Sequence, residues 1–275
     1  MTFSLVARCA DTGMFGVAIS LSSPAVAARC AYARAGVGAV ASQNVTDPRL
    51  GPATLDAMAE GRPAEAAVTA VLEGRDCTEY RQLLAVDADG GTAVHSGPRA
   101  LGLWSAAQGR DVAAGGNLLA DEHVPQAIVD GFEAASGHLG DRLLAALRAG
   151  LAAGGEAGPV HSAGMTLVDR VPWPVADLRC DWTEDCPVAA VERAWEVYKP
   201  QLDDYVQRAL DPFHAIRCAL KRKRWAEDMP DQRLDLDACL AAYTRNAAIA
   251  AFEENRLGRL APGVLADLVM VDGDL

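Results

Sequence analysis

The sequence lacks the signals of several common protein classes. It has no apolar run of about 18 residues, the length that a membrane-spanning helix requires, and its start has no secretory signal pattern. Positive charge is also scarce, since the net charge is -12 and the isoelectric point lies near 4.8. This balance argues against nucleic acid or an anionic membrane surface as a partner. We therefore expect a soluble, cytoplasmic protein with no nucleic-acid or membrane partner.

Paired cysteines are missing as well. The seven cysteines are widely spaced and never form a C-x-x-C motif, so neither a disulfide framework nor a zinc knuckle is indicated. Cys9 and Cys30 lie nearest to the N terminus, but without a paired base they are interpreted as small buried hydrophobic residues. The five histidines are scattered, and His95 and His161 are interpreted as structural or surface residues. We therefore predict no metal and no cofactor.

One short segment, 221–224, is basic although the chain as a whole is acidic. It lies in a stretch with helical spacing and is soon followed by acidic residues. We interpret it as a solvated helix face, because an isolated cluster of this kind is a weak signal for nucleic-acid binding.

The most informative feature that is present is Thr2. Removal of Met1 would leave a hydroxyl and a free α-amine on the first residue of the apolar segment 2–8. An α-amine titrates near ~7.7–8.0, so it can accept the hydroxyl proton and make Thr2 a nucleophile without a partner histidine. The alternative is that a threonine simply follows the initiator methionine and has no chemical role.

Hydrophobic periodicity predicts the order of strands and helices. Strands are expected at 2–8, 14–20, 36–42, 81–87, 92–96, 111–115, 163–169 and 175–179, and helices at 50–60, 63–73, 122–135, 139–153 and 187–209. Pro200 should kink or break the last helix, in which Trp195, Tyr198 and Tyr205 are expected apolar anchors. Strands that alternate with pairs of helices favour an α+β fold, in which helices cover a largely antiparallel double sheet.

Six ordered motifs resemble one bacterial family. They lie at residues 2–8, 16–18, 33–41, 80–83, 116–119 and 177–179. Over residues 2–210 the chain resembles the family called domain of unknown function 1028, which is placed in the N-terminal nucleophile (Ntn) hydrolase superfamily. The resemblance implies an Ntn-hydrolase-like αββα four-layer sandwich, with Thr2 at the catalytic position.

The remaining segment, 211–275, resembles the last segment of metal-dependent amidohydrolases. The motifs are at 211–216, 240–248 and 258–269. The metal-binding barrel of those enzymes and its His-x-His motif are missing, so this tail should bring no metal site. We interpret it as the remnant of a fusion, a mostly helical appendage that serves in packing or dimerisation or else has little role.

The Ntn resemblance implies a reaction at Thr2. Thr2 Oγ1 would attack the amide carbonyl of a small-molecule substrate, the α-amine would carry the proton, and water would release the acyl-enzyme. Asn44 and Asn117 are candidate oxyanion donors, although an asparagine in a loop often serves only to form a turn.

Three charged residues in or beside the predicted strands are candidate substrate-binding groups. Arg81, Asp177 and Arg179 would orient the amine or bind a substrate carboxylate. Because Asp177 and Arg179 are two residues apart, they share one face of a strand, and a structural salt bridge is an equal alternative.

Three functions follow from these patterns. The first is an Ntn amidohydrolase that cleaves a C–N bond of a small amide. The second is a non-catalytic ligand-binding or interaction protein of the same fold, in which Met1 is retained. The third, a metal-dependent amidohydrolase, is what the tail alone would suggest, and the missing ligands argue against it. By analogy with other Ntn sandwiches, we expect a homodimer.

Overall fold

Two antiparallel β-sheets form the centre of the fold in a computed structural model of the chain. The structure describes residues 2–222, 224, 227–259 and 261–262. The chain divides into two compact units, residues 1–200 and 201–275. Within the described residues, no helix is both long and apolar enough to cross a membrane.

The first unit contains both sheets. Its strands are β1 (Thr2–Arg8), β2 (Phe15–Leu21), β3 (Ala31–Arg34), β4 (Gly38–Asn44), β5 (Arg81–Asp87), β6 (Thr92–Ser96), β7 (Ser105–Gly109), β8 (Val112–Asn117), β9 (Ser162–Val168) and β10 (Ala176–Cys180). One sheet has the order β10-β9-β2-β1-β8-β7, and the other has the order β3-β4-β5-β6. The first strand of the chain is therefore an inner strand, between β2 and β8.

Helices cover the outer face of each sheet. They are α1 (Ala27–Cys30), α2 (Leu50–Ala59), α3 (Ala64–Leu72), α4 (Val124–Ala134), α5 (Leu139–Ala152) and α6 (Pro187–Tyr198). Helices α2 and α3 pack on the four-stranded sheet, and α4 and α5 pack on the six-stranded sheet. The order of layers is thus helix, sheet, sheet, helix, and the predicted α+β class is confirmed.

The core is divided between the layers by strand alternation. Val6, Val17 and Leu84 lie in the apolar cluster between the two sheets, whereas Leu83 lies in the cluster under α2 and α3. Successive residues of a strand point to opposite faces, so β1 sends Thr2, Ser4 and Val6 toward the second sheet. This parity decides where the Thr2 side chain lies.

The predicted elements mostly match the observed ones, with two strands missed. Both β3 and β7 are edge strands of four and five residues, and the segment Ser105–Gly109 consists of residues with weak strand preference. The strand predicted at 36–42 is displaced, because Gly36 is in a turn with positive φ and β4 begins at Gly38. These errors leave the order of the long strands intact.

The break at Pro200 is confirmed. Helix α6 ends at Tyr198, a 3₁₀ turn spans Lys199–Gln201, and α7 (Leu202–Leu210) follows. Trp195 is 3% exposed, as an apolar anchor should be, but the same prediction for Tyr205 was wrong because its side chain is exposed. The second unit continues with α8 (Pro212–Leu220), α9 (Leu236–Tyr243) and α10 (Arg245–Ala250). Lys223 and most of the tail motif at 258–269 lie outside the described residues.

Candidate functional site

Thr2 lies at the beginning of an inner strand and is buried. It is 4% exposed and stands directly opposite Asn117 of β8. Opposed residues of an antiparallel pair place their side chains on the same face, with Cβ atoms about 4.5–5.5 Å apart. Thr2 and Asn117 are therefore neighbours at one end of the layer between the two sheets.

A buried polar network continues from this pair into the sandwich. Ser4 Oγ donates a hydrogen bond to Gln43 Oε1 at 2.6 Å, and Gln43 Nε2 donates to Gln82 Oε1 at 2.8 Å. Gln82 Oε1 also accepts from Asn117 Nδ2 at 3.2 Å. All four side chains are completely buried. Since burying an unpaired amide is costly, these contacts fix the side chains and join the two sheets beside Thr2.

The network contains two residues that the sequence analysis missed. Gln43 and Gln82 each interrupt or end an apolar strand, and both face the interior of the sandwich. A polar residue at the inward position of an apolar strand is the signal that would have found them, because such a residue must be paired when it is buried. Gln82 Nε2 further donates to Gly116 O at 3.0 Å and to Ser96 Oγ at 3.0 Å.

Asn117 has one unsatisfied atom. Its Nδ2 is directed to Gln82, and its Oδ1 is buried without a hydrogen-bond partner. In this orientation Asn117 offers an acceptor beside Thr2 instead of the donor that an oxyanion site requires. Its oxyanion role stays a prediction, and that role would need a rotation of the amide.

Asn44 and Arg81 stabilise a loop. Asn44 has φ +72°, donates from Nδ2 to Tyr80 O at 2.5 Å, and accepts from Leu101 N at 3.3 Å. Arg81 stands opposite Asn44 in the sheet and donates to Val45 O. Because backbone partners engage both ends of the Asn44 amide, the geometry favours the turn-forming alternative over the oxyanion role.

Asp177 and Arg179 bind each other. Arg179 Nε and Nη2 donate to the two carboxylate oxygens of Asp177 at 2.8 and 2.7 Å. The pair lies on the edge strand β10, beside a groove of ≈ 270 Å³ that Tyr32 and Thr166 also line. Three strand spacings, roughly 14 Å, separate β10 from β1. The fold therefore does not bring these two residues to Thr2. They form a structural salt bridge with each other, which was the alternative expectation.

Glu156 is a second feature that the sequence analysis missed. It lies in the glycine-rich segment between α5 and β9 and is only 4% exposed. Its Oε1 accepts from Ser22 N at 3.1 Å, whereas its Oε2 is buried without a partner. Burial raises the pKa of Glu156 to about 7, against the opposing effects of the positive N-terminal amine and of the hydrogen bond from Ser22. A single carboxylate in a glycine- and alanine-rich loop was the available signal.

Two cysteines and one histidine from the sequence analysis are buried or hydrogen-bonded. Cys9 and Cys30 are buried free thiols, as predicted. Burial raises the pKa of Cys30, whose Sγ lies 3.6 Å from Thr46 Oγ1. The His161 ring stacks on Trp182 at 4.4 Å and bonds to Thr183 O through Nδ1. In the part of the chain that the structure describes, no group of three or more His, Cys, Asp or Glu side chains could hold a metal ion.

Comparison with known proteins assigns most of the chain. The model of the family of unknown function DUF1028 matches residues 2–191. The chain belongs to this family. A crystal structure of another DUF1028 protein, SPO2555 from Silicibacter pomeroyi, is 29% identical with a TM-score of 0.69. The match covers 74% of this chain and 89% of that chain.

The end of the chain has a different similarity. The model of the amidohydrolase family matches residues 202–275. Protein LONG AFTER FAR-RED 3 of Arabidopsis thaliana is 39% identical over 71 residues, which is 25% of this chain. The chain spans only 12% of the length of that protein.

Proposed function

We propose that this DUF1028 protein is an Ntn amidohydrolase that cleaves a C–N bond of a small amide through an acyl-enzyme on Thr2. The position of Thr2 is the observation that carries the proposal. It is the first residue of an inner strand and is buried beside an unsatisfied Asn117 oxygen. A hydroxyl at this position would share its residue with a free amine once Met1 is removed, which unites nucleophile and base.

The proposed reaction has two steps. Thr2 Oγ1 attacks the substrate carbonyl while the Thr2 amine accepts the hydroxyl proton, and the amine then returns this proton to the leaving nitrogen. Water hydrolyses the resulting ester and regenerates the hydroxyl. Asn117 is the proposed side chain beside the reacting carbonyl, in contact either with its oxygen after amide rotation or with the amine as an acceptor.

The buried network supports this assignment. Catalytic groups must be held within about 0.5 Å of the productive geometry, which requires packed and hydrogen-bonded neighbours. Ser4 and Asn117 flank Thr2 on the same face, and the amides of Gln43 and Gln82 fix both of them. The amidohydrolase match at 202–275 gives circumstantial support for chemistry on amides.

The test begins with the N terminus. Intact mass and N-terminal sequencing of the purified protein should show the loss of Met1. A panel of small amides is then screened with the wild type, Thr2→Ala and Thr2→Ser. We expect Thr2→Ala to abolish hydrolysis and Thr2→Ser to retain part of it, since serine keeps both groups. Thr92→Ala is the matched control, because Thr92 Oγ1 bonds only the exposed Gln108 among the described contacts.

Two results would contradict the proposal. Hydrolysis that survives in Thr2→Ala would remove Thr2 from the nucleophile role. Retention of Met1 in the native protein would leave Thr2 without its base and favour the alternative of a non-catalytic ligand-binding protein.

A further inference from the structure

A buried carboxylate lies in line with β1, ahead of Thr2. Beyond Asn117, Leu119 forms an antiparallel bridge with Glu156, supported by hydrogen bonds from Ala157 N to Leu118 O and from Ala120 N to Gly155 O. On the other side, Ser22 follows the end of β2 and donates its N–H to Glu156 Oε1. Since β1 runs between β2 and β8, Glu156 occupies the row of the sheet to which β1 belongs.

The pairing limits the separation along that row. Thr2 is opposite Asn117 and Glu156 is opposite Leu119, and Leu118 between these two partners has φ +50°, so the extended strand ends at Asn117. Two residues of chain span at most about 7 Å even when extended, so the positions that Thr2 and Glu156 face are no farther apart than this. A glutamate side chain spans such a distance easily. The packing agrees, because Phe3 of β1 lies against Gly155, the residue before Glu156.

Two buried acceptors at this end have no donor. Glu156 Oε2 and Asn117 Oδ1 are both inaccessible to solvent and both lack a hydrogen-bond partner among the described residues. Unsatisfied buried acceptors are uncommon and indicate a missing donor. A carboxylate oxygen calls for a cationic donor, and an ammonium group supplies three N–H bonds from one atom.

We propose that the ammonium group of Thr2, formed by removal of Met1, binds Glu156 Oε2, and that Glu156 is the positioning residue for this amine. The inference rests on the proposed function only in that it requires the loss of Met1. The amine is then on Thr2, the residue opposite Asn117, and Glu156 lies next along the same row of the sheet.

Two titratable groups act on Glu156 in the unprocessed chain: the N-terminal amine, which then belongs to Met1, and His161, whose ring is held by Thr183 and Trp182. Once the ammonium binds, it stabilises the Glu156 carboxylate, and the carboxylate in turn holds the proton on the amine. Glu156 would thus orient the base and also delay its deprotonation. This double role predicts that loss of the carboxylate lowers the rate and shifts the acidic limb of the pH–rate profile to lower pH.

The experiment is a titration of the Thr2 amine. Protein without Met1 and with ¹³C-labelled threonine is titrated by NMR, and the Thr2 Cα shift reports the pKa of the amine. We expect the wild-type pKa to exceed the ~7.7–8.0 of an ordinary α-amine. In Glu156→Gln, which keeps the acceptor for Ser22 N, proton affinity should fall about tenfold. Glu196→Gln is the charge-matched control, since Glu196 is exposed on α6, and it should leave the amine unchanged.

Three outcomes would overturn the inference. They are a wild-type amine that titrates at or below the ordinary range, an amine that is unaffected by Glu156→Gln, and a native protein that retains Met1. The wild-type titration decides the question even if Glu156→Gln fails to fold. Retention of Met1 would overturn both this inference and the proposed function. The other two outcomes need no substrate, so they overturn this inference alone. An amine that responds to Glu156→Gln while Thr2→Ala still hydrolyses amides would contradict only the nucleophile.

Discussion

At the scale of single residues, the polar network beside Thr2 depends most on Gln82. Its Oε1 accepts from Gln43 and Asn117, and its Nε2 donates to Gly116 O and Ser96. No other side chain of this network joins so many partners.

We expect Gln82→Leu to lower the free energy of unfolding by about 2 kcal/mol or more, because it leaves several buried groups unpaired at about 1–3 kcal/mol each. Urea unfolding measures the change. Gln108→Leu, which replaces an exposed glutamine, is the control and should alter stability by less than about 0.5 kcal/mol. Equal stability of Gln82→Leu and the wild type would show that the network has no net stabilising effect.

Predictions about single residues succeeded where they depended only on sequence position or on spacing along one strand. The position of Thr2 next to Met1 is visible in the sequence, and the spacing of Asp177 and Arg179 does place them on one face, where they pair. Their distance from Thr2 depends on strand order across the sheet, which spacing does not encode. Gln82 and Glu156 were missed for the same reason, since their partners come from strands and loops distant in sequence.

At the scale of elements, the close approach of α2 to β3 depends on Gly51. A Cβ at Gly51 would lie 2.1–2.5 Å from atoms of the Tyr32 ring. The ring has little room to move, because Tyr32 OH donates to Arg29 O at 2.8 Å. An alanine normally stabilises a helix relative to glycine by roughly 0.5–1 kcal/mol, so helix propensity and packing make opposite predictions here.

We expect packing to prevail, so that Gly51→Ala costs about 1–3 kcal/mol despite its better helix propensity. Thermal or urea unfolding measures the loss. In a Tyr32→Leu background the smaller side chain should relieve the overlap and reduce the cost of Gly51→Ala, which a double-mutant cycle detects. If Gly51→Ala lowered the stability of the wild type and of Tyr32→Leu by the same amount, overlap with the Tyr32 ring would not be the cause of the loss.

Element prediction was best for long, strongly patterned segments. The hairpin Arg81–Asp87 with Thr92–Ser96 and the helix Leu139–Ala152 match their predicted bounds within a residue. The missed strands β3 and β7 are held at sheet edges by one neighbour each, so tertiary pairing and not local preference makes them strands.

At the scale of the whole molecule, the two similarities of the chain fall on different segments. The DUF1028 match ends at residue 191 and the amidohydrolase match begins at residue 202. The two compact units of the structure divide between residues 200 and 201. We propose that residues 202–275 are a fused segment, in place of the predicted start at 211. The homodimer stays a prediction.

A chain that ends at Pro200 should therefore fold without the second unit. The first unit contains the ten strands that the structure describes, the helices α1–α6 and the apolar clusters between and outside the sheets. We expect the truncated protein to keep the melting temperature of the wild type within about 4 °C, the shift that roughly 1 kcal/mol produces in a domain of this size. Thermal unfolding followed by circular dichroism, with the full chain measured in parallel, provides the comparison. Aggregation of the truncated protein, or a much lower melting temperature, would show that residues 201–275 complete the core of the sandwich, and the fused segment would then have to be regarded as part of one folding unit.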